Sequence, residues 1–163
     1  MKTKQDLAEF YRNQGDFKNL QGQYHAAIAD YDKAIQTQPD YAEAYYNRGL
    51  AKASLSQHQA ALIDFSKAIQ LNPNDAESYN NRGLTKVALG QHDTAIDDYD
   101  KAIQLNPRVD AYYNRGLAKD KLGQHDAAIG DFDKAIQLNP NDVDARRALR
   151  LAQEHKGASN DGS

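Results

Sequence analysis

Four asparagines, Asn13, Asn47, Asn81 and Asn114, recur along this chain at a nearly constant interval. An amide side chain both donates and accepts, so a row of asparagines can pair with the backbone of an extended peptide whatever its side chains. The competing role is to satisfy a neighbouring backbone group. Immediately before them stand Arg12, Tyr46, Asn80 and Tyr113. Tyrosine buries a large area with few rotors, so Tyr46 and Tyr113 are expected as side-chain anchors, or else as packing on the adjacent helix. An acid precedes each asparagine by about one helical turn: Glu9, Glu43, Glu77 and Asp110. Near a helix N-terminus such a charge stabilises by about 0.3–1 kcal/mol. A row of them would also favour a basic or neutral ligand.

Arg48, Arg82 and Arg115 precede Asp64, Asp98 and Asp131 respectively, always at the same offset. This spacing predicts Arg–Asp pairing inside a structural unit, with ligand-facing arginines as the alternative. The chemistry on offer is recognition rather than bond making. There is no nucleophile–base–orienter set, no glycine-rich phosphate loop and no HExxH, so no enzyme activity is expected. His58, His92 and His125 occupy one recurring place, with His25 shifted by one. The ligands of a single zinc ion all lie about 2 Å from it, and residues a whole unit apart in a stack do not meet that condition. Packing at a turn is expected of them, with no metal and no cofactor.

Elements must hold these side chains at a fixed interval. The octet "YYNRGLAK" begins at Tyr45 and again at Tyr112, with the near-copy "YNNRGLTK" at Tyr79. The units are 8–41, 42–75, 76–108 and 109–142, the third being one residue short in the connection before Tyr112. Each reads as two helices, A and B, followed by a break such as "NPND", where proline ends the helix and Asn or Asp offers the next N-cap. Gly15, Gly49, Gly83 and Gly116 fall within helix A, where glycine costs about 1 kcal/mol against alanine. The repeated cost predicts close approach of a neighbouring helix. Ala27, Ala61, Ala95 and Ala128, then Ala34, Ala68, Ala102 and Ala135, mark helix B. Tyr31, Phe65, Tyr99 and Phe132 supply its large partners. Ala61, Phe65, Ala68 and Ile69 lie on one helical face. Stacked units that cannot bury their apolar faces alone explain the repetition.

This pattern resembles the tetratricopeptide repeat, a 34-residue helix–turn–helix unit. The likeness covers residues 8–142, about four-fifths of the chain. It includes the helix A aromatic, the glycine, both alanines, the helix B aromatic, and Pro39, Pro73, Pro107 and Pro140. The resemblance implies an all-α, right-handed superhelical α-solenoid whose helix A face lines a concave groove for a peptide or partner protein. In that groove Asn13, Asn47, Asn81 and Asn114 would form the ladder, with Asn80, Tyr46 and Tyr113 beside it. Leu50, Leu84, Leu117 and Leu151 would form its floor, or ordinary core, and Glu43 and Glu77 would line one edge. Some family members hold the carboxylate terminus of chaperones through lysine, asparagine and arginine. Here the matching positions are Arg12, Asp16, Asn47, Glu77 and Asn81, and only Asn47 fits fully, so that clamp is not expected. Lys52, Lys86 and Lys119 stand where the family often has tyrosine, and would charge the inner surface.

The remaining segments bound the array. Residues 1–7 read as an N-terminal extension, and 143–155 as a capping helix with Ala145, Ala148, Leu149 and Ala152 on its apolar face. Residues 156–163, "KGASNDGS", have the composition of a disordered tail. The opening "MKTKQDLAEF" lacks the apolar core of a signal peptide. No run approaches the roughly 18 apolar residues of a membrane span. With no cysteine and a net charge of −3, the chain is expected to be a cytoplasmic, protein-binding scaffold that engages neither membrane nor nucleic acid. Self-association into a homo-oligomer is the alternative. RNA binding is more remote, because the related pentatricopeptide units are slightly longer and their arrays basic.

Overall fold

A computed structural model describes the backbone of residues 3–161. Nine helices and no strand occur among these residues, so the all-α expectation is borne out. They fall into two compact units, Met1–Thr85 and Lys86–Ser163.

The first unit contains α1 (Lys4–Leu20), α2 (Tyr24–Thr37), α3 (Ala42–Ser54), α4 (His58–Leu71) and most of α5 (Ala76–Ala88). Here α1 packs on α2, α2 on α3 and α3 on α4, while α1 also touches α3. The second holds α6 (His92–Leu105), α7 (Val109–Lys121), α8 (His125–Leu138) and α9 (Val143–Asp161). Here α6 meets α7, α7 meets α8, and α9 packs on both α8 and α7.

Two boundaries differ from the sequence reading. Residues 4–7 are not a separate extension but the first turn of α1. Thr3 caps it: its hydroxyl accepts from the Asp6 N–H at 3.0 Å, and the Asp6 carboxylate accepts from the Thr3 N–H at 2.7 Å. Glu9 therefore lies beyond the first turn, and Asp6 is the acid near that helix end. At the other terminus α9 continues past residue 155 to Asp161. Lys156 pairs with Asp126 at 2.6 Å, and the Ser159 hydroxyl donates to the His155 carbonyl at 2.9 Å. These contacts extend a segment whose composition suggested disorder. The ends of the expected extension and tail, 1–2 and 162–163, lie outside the described residues.

The glycines of helix A do what their repeated cost implies. A Cβ on Gly15 would stand 2.5 Å from the Tyr31 ring, one on Gly49 2.9 Å from Phe65, and one on Gly116 2.6 Å from Phe132. Each of these helix B aromatics is thus seated on the backbone of its own helix A. Tyr31, Phe65, Tyr99 and Phe132 are buried, as are Ala27, Ala61, Ala95 and Ala128. Ala145, Ala148 and Ala152 of α9 are buried too, and Ala148 and Ala152 close the core around Phe132. Between helices A and B the chain turns through a left-handed residue: Gly22, Gly90 and Gly123, but Ser56 in the second repeat, with φ of 58°. No helix among the described residues is long and apolar enough to cross a membrane.

Candidate functional site

The aspartates of helix B, Asp30, Asp64, Asp98 and Asp131, are buried. Each is met by a lysine from its own helix A: Lys18, Lys52, Lys86 or Lys119. The Lys52–Asp64, Lys86–Asp98 and Lys119–Asp131 separations are 2.7, 2.8 and 2.8 Å. These lysines do not charge an inner surface as their sequence positions suggested. Their ammonium groups are drawn across the hairpin to neutralise a desolvated carboxylate.

The expected arginine pairs form at Arg48 and Arg115. Arg48 donates from Nε and Nη2 to both oxygens of Asp64, and from Nη1 to Asp32 of the preceding helix B. Arg115 repeats this with Asp131 and Asp100. Burial works against the charged guanidinium, but the carboxylates more than offset it and hold both arginines protonated. Arg82 donates to the Ser66 hydroxyl at 3.4 Å. In the first repeat Gln14 stands at the arginine register, and Lys33 joins Lys18 on Asp30. The guanidiniums also lie over tyrosine rings, Arg48 at 5.4 Å from the Tyr45 centroid and Arg115 at 5.5 Å from Tyr112.

The candidate ligand-binding residues are more unequal than their spacing implies. In the first unit, Asn13 is exposed, Asn47 and Asn81 are half-buried, and Asn80 is buried. The Asn47 amide donates to Asp16 at 2.8 Å. The Asn81 amide donates to the Tyr46 hydroxyl at 3.1 Å and to the Glu77 carbonyl at 2.9 Å. Asp16 is a hub that spacing did not single out: it also accepts from Arg12 at 2.8 Å and from the Tyr31 hydroxyl at 2.9 Å. Burial first, and then this bond to Asp16, push the Tyr31 phenol well above its ordinary range. Tyr46 is half-buried, its ring tilted against Phe65 with centroids 5.9 Å apart. It lines a narrow cleft with Glu43, Ala68, Asp75 and Ser78. Leu84 is exposed, Leu50 and Glu77 are half-buried, and Glu43 is exposed.

In the second unit Tyr113 packs on Phe132, centroids 6.0 Å apart, and Asn114 is half-buried beside it. Two clefts share Tyr113. One, of about 230 Å³, is bounded by Leu117, Phe132, Ala148, Leu151, Asp144 and Arg147, with Asp120 and His155 at its margin. The other, of about 540 Å³, is edged by Pro107, Val109 and Leu138, by Asp110, Asp142 and Asp144, and by Arg108. Burial, and then Asp144 and Asp142, raise the Tyr113 phenol above its usual range. Leu117 and Leu151 are 43% and 41% exposed, so they form an open apolar surface rather than core.

Comparison with known proteins places this architecture. The chain matches the tetratricopeptide repeat model over residues 42–75, 76–108 and 109–142. A second repeat model, described as TPR repeat, matches residues 15–56. No curated protein matches. Among solved structures, MamA superposes with a TM-score of 0.88 at 30% identity, over 96% of this chain and 86% of its own. YrrB, described as a TPR protein with an unusual peptide-binding site, superposes with a TM-score of 0.80 at 24% identity, over 90% of this chain and 76% of its own. The first TPR domain of Spaghetti (RPAP3), solved bound to the HSP90 peptide SRMEEVD, gives 0.70 at 23% identity, over 71% of this chain and 93% of its own. With successive repeat matches laid over helix pairs whose glycines seat the aromatics, the chain belongs to the tetratricopeptide repeat family.

Proposed function

We propose that this protein is a non-enzymatic interaction scaffold that receives a peptide, or a segment of a partner protein, on the helix A face of its repeats. The observation that carries the reading is the pair of clefts sharing Tyr113. One has an apolar floor of Leu117, Phe132 and Leu151; the other carries three aspartates along its edge. A ligand crossing Tyr113 would set an apolar side chain in the first and a basic or neutral one in the second. On the first unit, Tyr46, Asn47, Asn81 and Leu84 offer the corresponding face. There the asparagine amides already have partners within the chain, so a ligand backbone shares these groups rather than finding them idle. A clamp for a terminal carboxylate is not proposed: Glu77 stands where a cation is needed, and Arg12 is held by Asp16.

The test is selection from a displayed peptide library, followed by calorimetric titration of the selected peptide. Tyr113→Ala is expected to cost about 2 kcal/mol or more, as at an interface hot spot. Asp142→Asn with Asp144→Asn is expected to weaken chiefly the salt dependence. If folded variants of Tyr113, Leu117, Tyr46 and Asn47 all bind like the parent, the helix A reading is wrong.

One observation favours a second reading, self-association. Ile63 on α4 is 64% exposed and lies with Leu62, Ser66, Lys67 and Gln70 around a cleft of about 470 Å³. Light scattering that shows a dimer in the parent and a monomer in Ile63→Glu would support it.

A further inference from the structure

We propose that Asp120, His125 and His155 form a binding site for a divalent transition-metal ion of the zinc class. The three residues come from separate elements of the second unit: Asp120 from the last turn of α7, His125 from the start of α8, and His155 from α9. Their ligand atoms all lie within 4.8 Å of one another. Asp120 Oδ1 is 2.7 Å from His125 Nδ1, and Asp120 Oδ2 is 2.9 Å from His155 Nδ1. The imidazoles lie with centroids 5.6 Å apart, tilted by 54°. Two imidazole nitrogens and one carboxylate make a borderline-soft donor set that suits zinc, cobalt, nickel or copper rather than magnesium or calcium.

The geometry is near that of a loaded site but not identical to it. Ligand atoms on one tetrahedral ion lie about 2.0–2.2 Å from the metal, so one imidazole must draw inward. His155 is the member able to do so: its side chain is 52% exposed, against 16% for His125 and 18% for Asp120. On binding, each Nδ1 exchanges its hydrogen bond to Asp120 for a bond to the metal, and the neutral ring carries its proton on Nε2. Three protein ligands leave a fourth position for water.

The site is particular to the last repeat. His58 and His92 share the register of His125, but Ala53 and Val87 stand where Asp120 does. His155 comes from α9, which lies outside the four repeats. The set therefore does not recur at the repeat interval; it joins one hairpin to the helix that covers it. A bound ion would tie α9 to α7 and α8.

The experiment titrates the full chain with Co²⁺, read by its visible absorption, and then with Zn²⁺ by calorimetry. The expected result is one ion per chain. His155→Gln and Asp120→Asn should each lower affinity more than tenfold, while His58→Gln with His92→Gln should leave it unchanged. His155 is exposed, so that variant is expected to keep the parent's circular dichroism. A melting temperature that rises with Zn²⁺ in the parent and not in His155→Gln provides an independent readout. No saturable binding, or binding that survives both His155→Gln and Asp120→Asn, would overturn the proposal.

Discussion

Arg48 grips Asp64 with two parallel hydrogen bonds, Nε to Oδ2 at 2.9 Å and Nη2 to Oδ1 at 2.6 Å, while Lys52 reaches the same carboxylate at 2.7 Å. Such a fork is among the stronger side-chain contacts available, and its carboxylate is almost wholly removed from water. Removing one partner of a buried pair leaves the others uncompensated, at a cost of about 3–5 kcal/mol. Asp64→Ala is expected to fall near the lower end, because Arg48 keeps Asp32. Exposed Asp133→Ala should change stability by less than about 0.5 kcal/mol. Urea unfolding of both variants checks the contrast.

Acid should unfold the protein partly through Asp30. Burial alone would raise this carboxyl, but hydrogen bonds from Lys18 and Lys33 prevail and hold it below the ordinary carboxylate value. A group depressed in the folded chain contributes its full stability above the unfolded value. It loses that contribution as pH falls through the folded one. Stability should therefore be insensitive to Asp30 above about pH 5 and decline below about pH 4. Asp30→Asn is expected to lower stability at neutral pH and to flatten the acid limb of a plot of urea midpoint against pH. An unchanged slope would assign that limb to other carboxylates.

Two glycine replacements should move in opposite directions. Gly49→Ala puts a methyl 2.9 Å from the buried Phe65 ring, and overpacking of this kind costs about 1–3 kcal/mol. A Cβ added at Gly130, inside α8, would meet nothing within 4 Å. Gly130→Ala should therefore gain about 0.5–1 kcal/mol from helix propensity alone. Thermal melts of the pair separate packing from propensity at one kind of substitution.

Ser56 is the only non-glycine with positive φ among the described residues. It sits at the register filled by Gly22, Gly90 and Gly123, and the Gln57 N–H closes the turn onto the Lys52 carbonyl at 2.9 Å. An L side chain in that region costs about 1–2 kcal/mol. Ser56→Gly should recover about 1 kcal/mol of this, after the added freedom of the unfolded chain is set against it. A denaturant midpoint equal to or below the parent's would show that Ser56 has a local compensation.

The helices and their packing were legible because the signals repeat. Glycine beside an aromatic at the same offset, alanines at fixed places and proline at each close all announce which faces meet. The arginine–aspartate spacing was legible for the same reason. The lysines were not: Lys52 and Asp64 face each other across a turn, and periodicity on either helix alone says nothing about that meeting. Their constant offset from the helix B aspartates was the available signal. The start of α1 is written in "TKQD" as Thr3 followed by Asp6, a cap that repeat spacing does not reveal because it precedes the first copy. Asn80 is buried although it shares the register of half-buried Tyr46 and Tyr113, since identical register fixes direction but not the bulk of what stands around it. His155 belongs to no repeat, so no comparison between repeats could bring it to Asp120.

The backward reach of Arg48, which holds its own hairpin at Asp64 and the previous one at Asp32, bears on how such a chain can change length. A hairpin built this way carries the hand that grasps its predecessor, and the first, with Gln14, carries none. Gain or loss of one whole interior copy by recombination within the coding sequence would leave most hands with something to hold. An event cut between an arginine and its aspartates would strand a buried charge. Whole copies are therefore the units whose gain or loss this contact tolerates best.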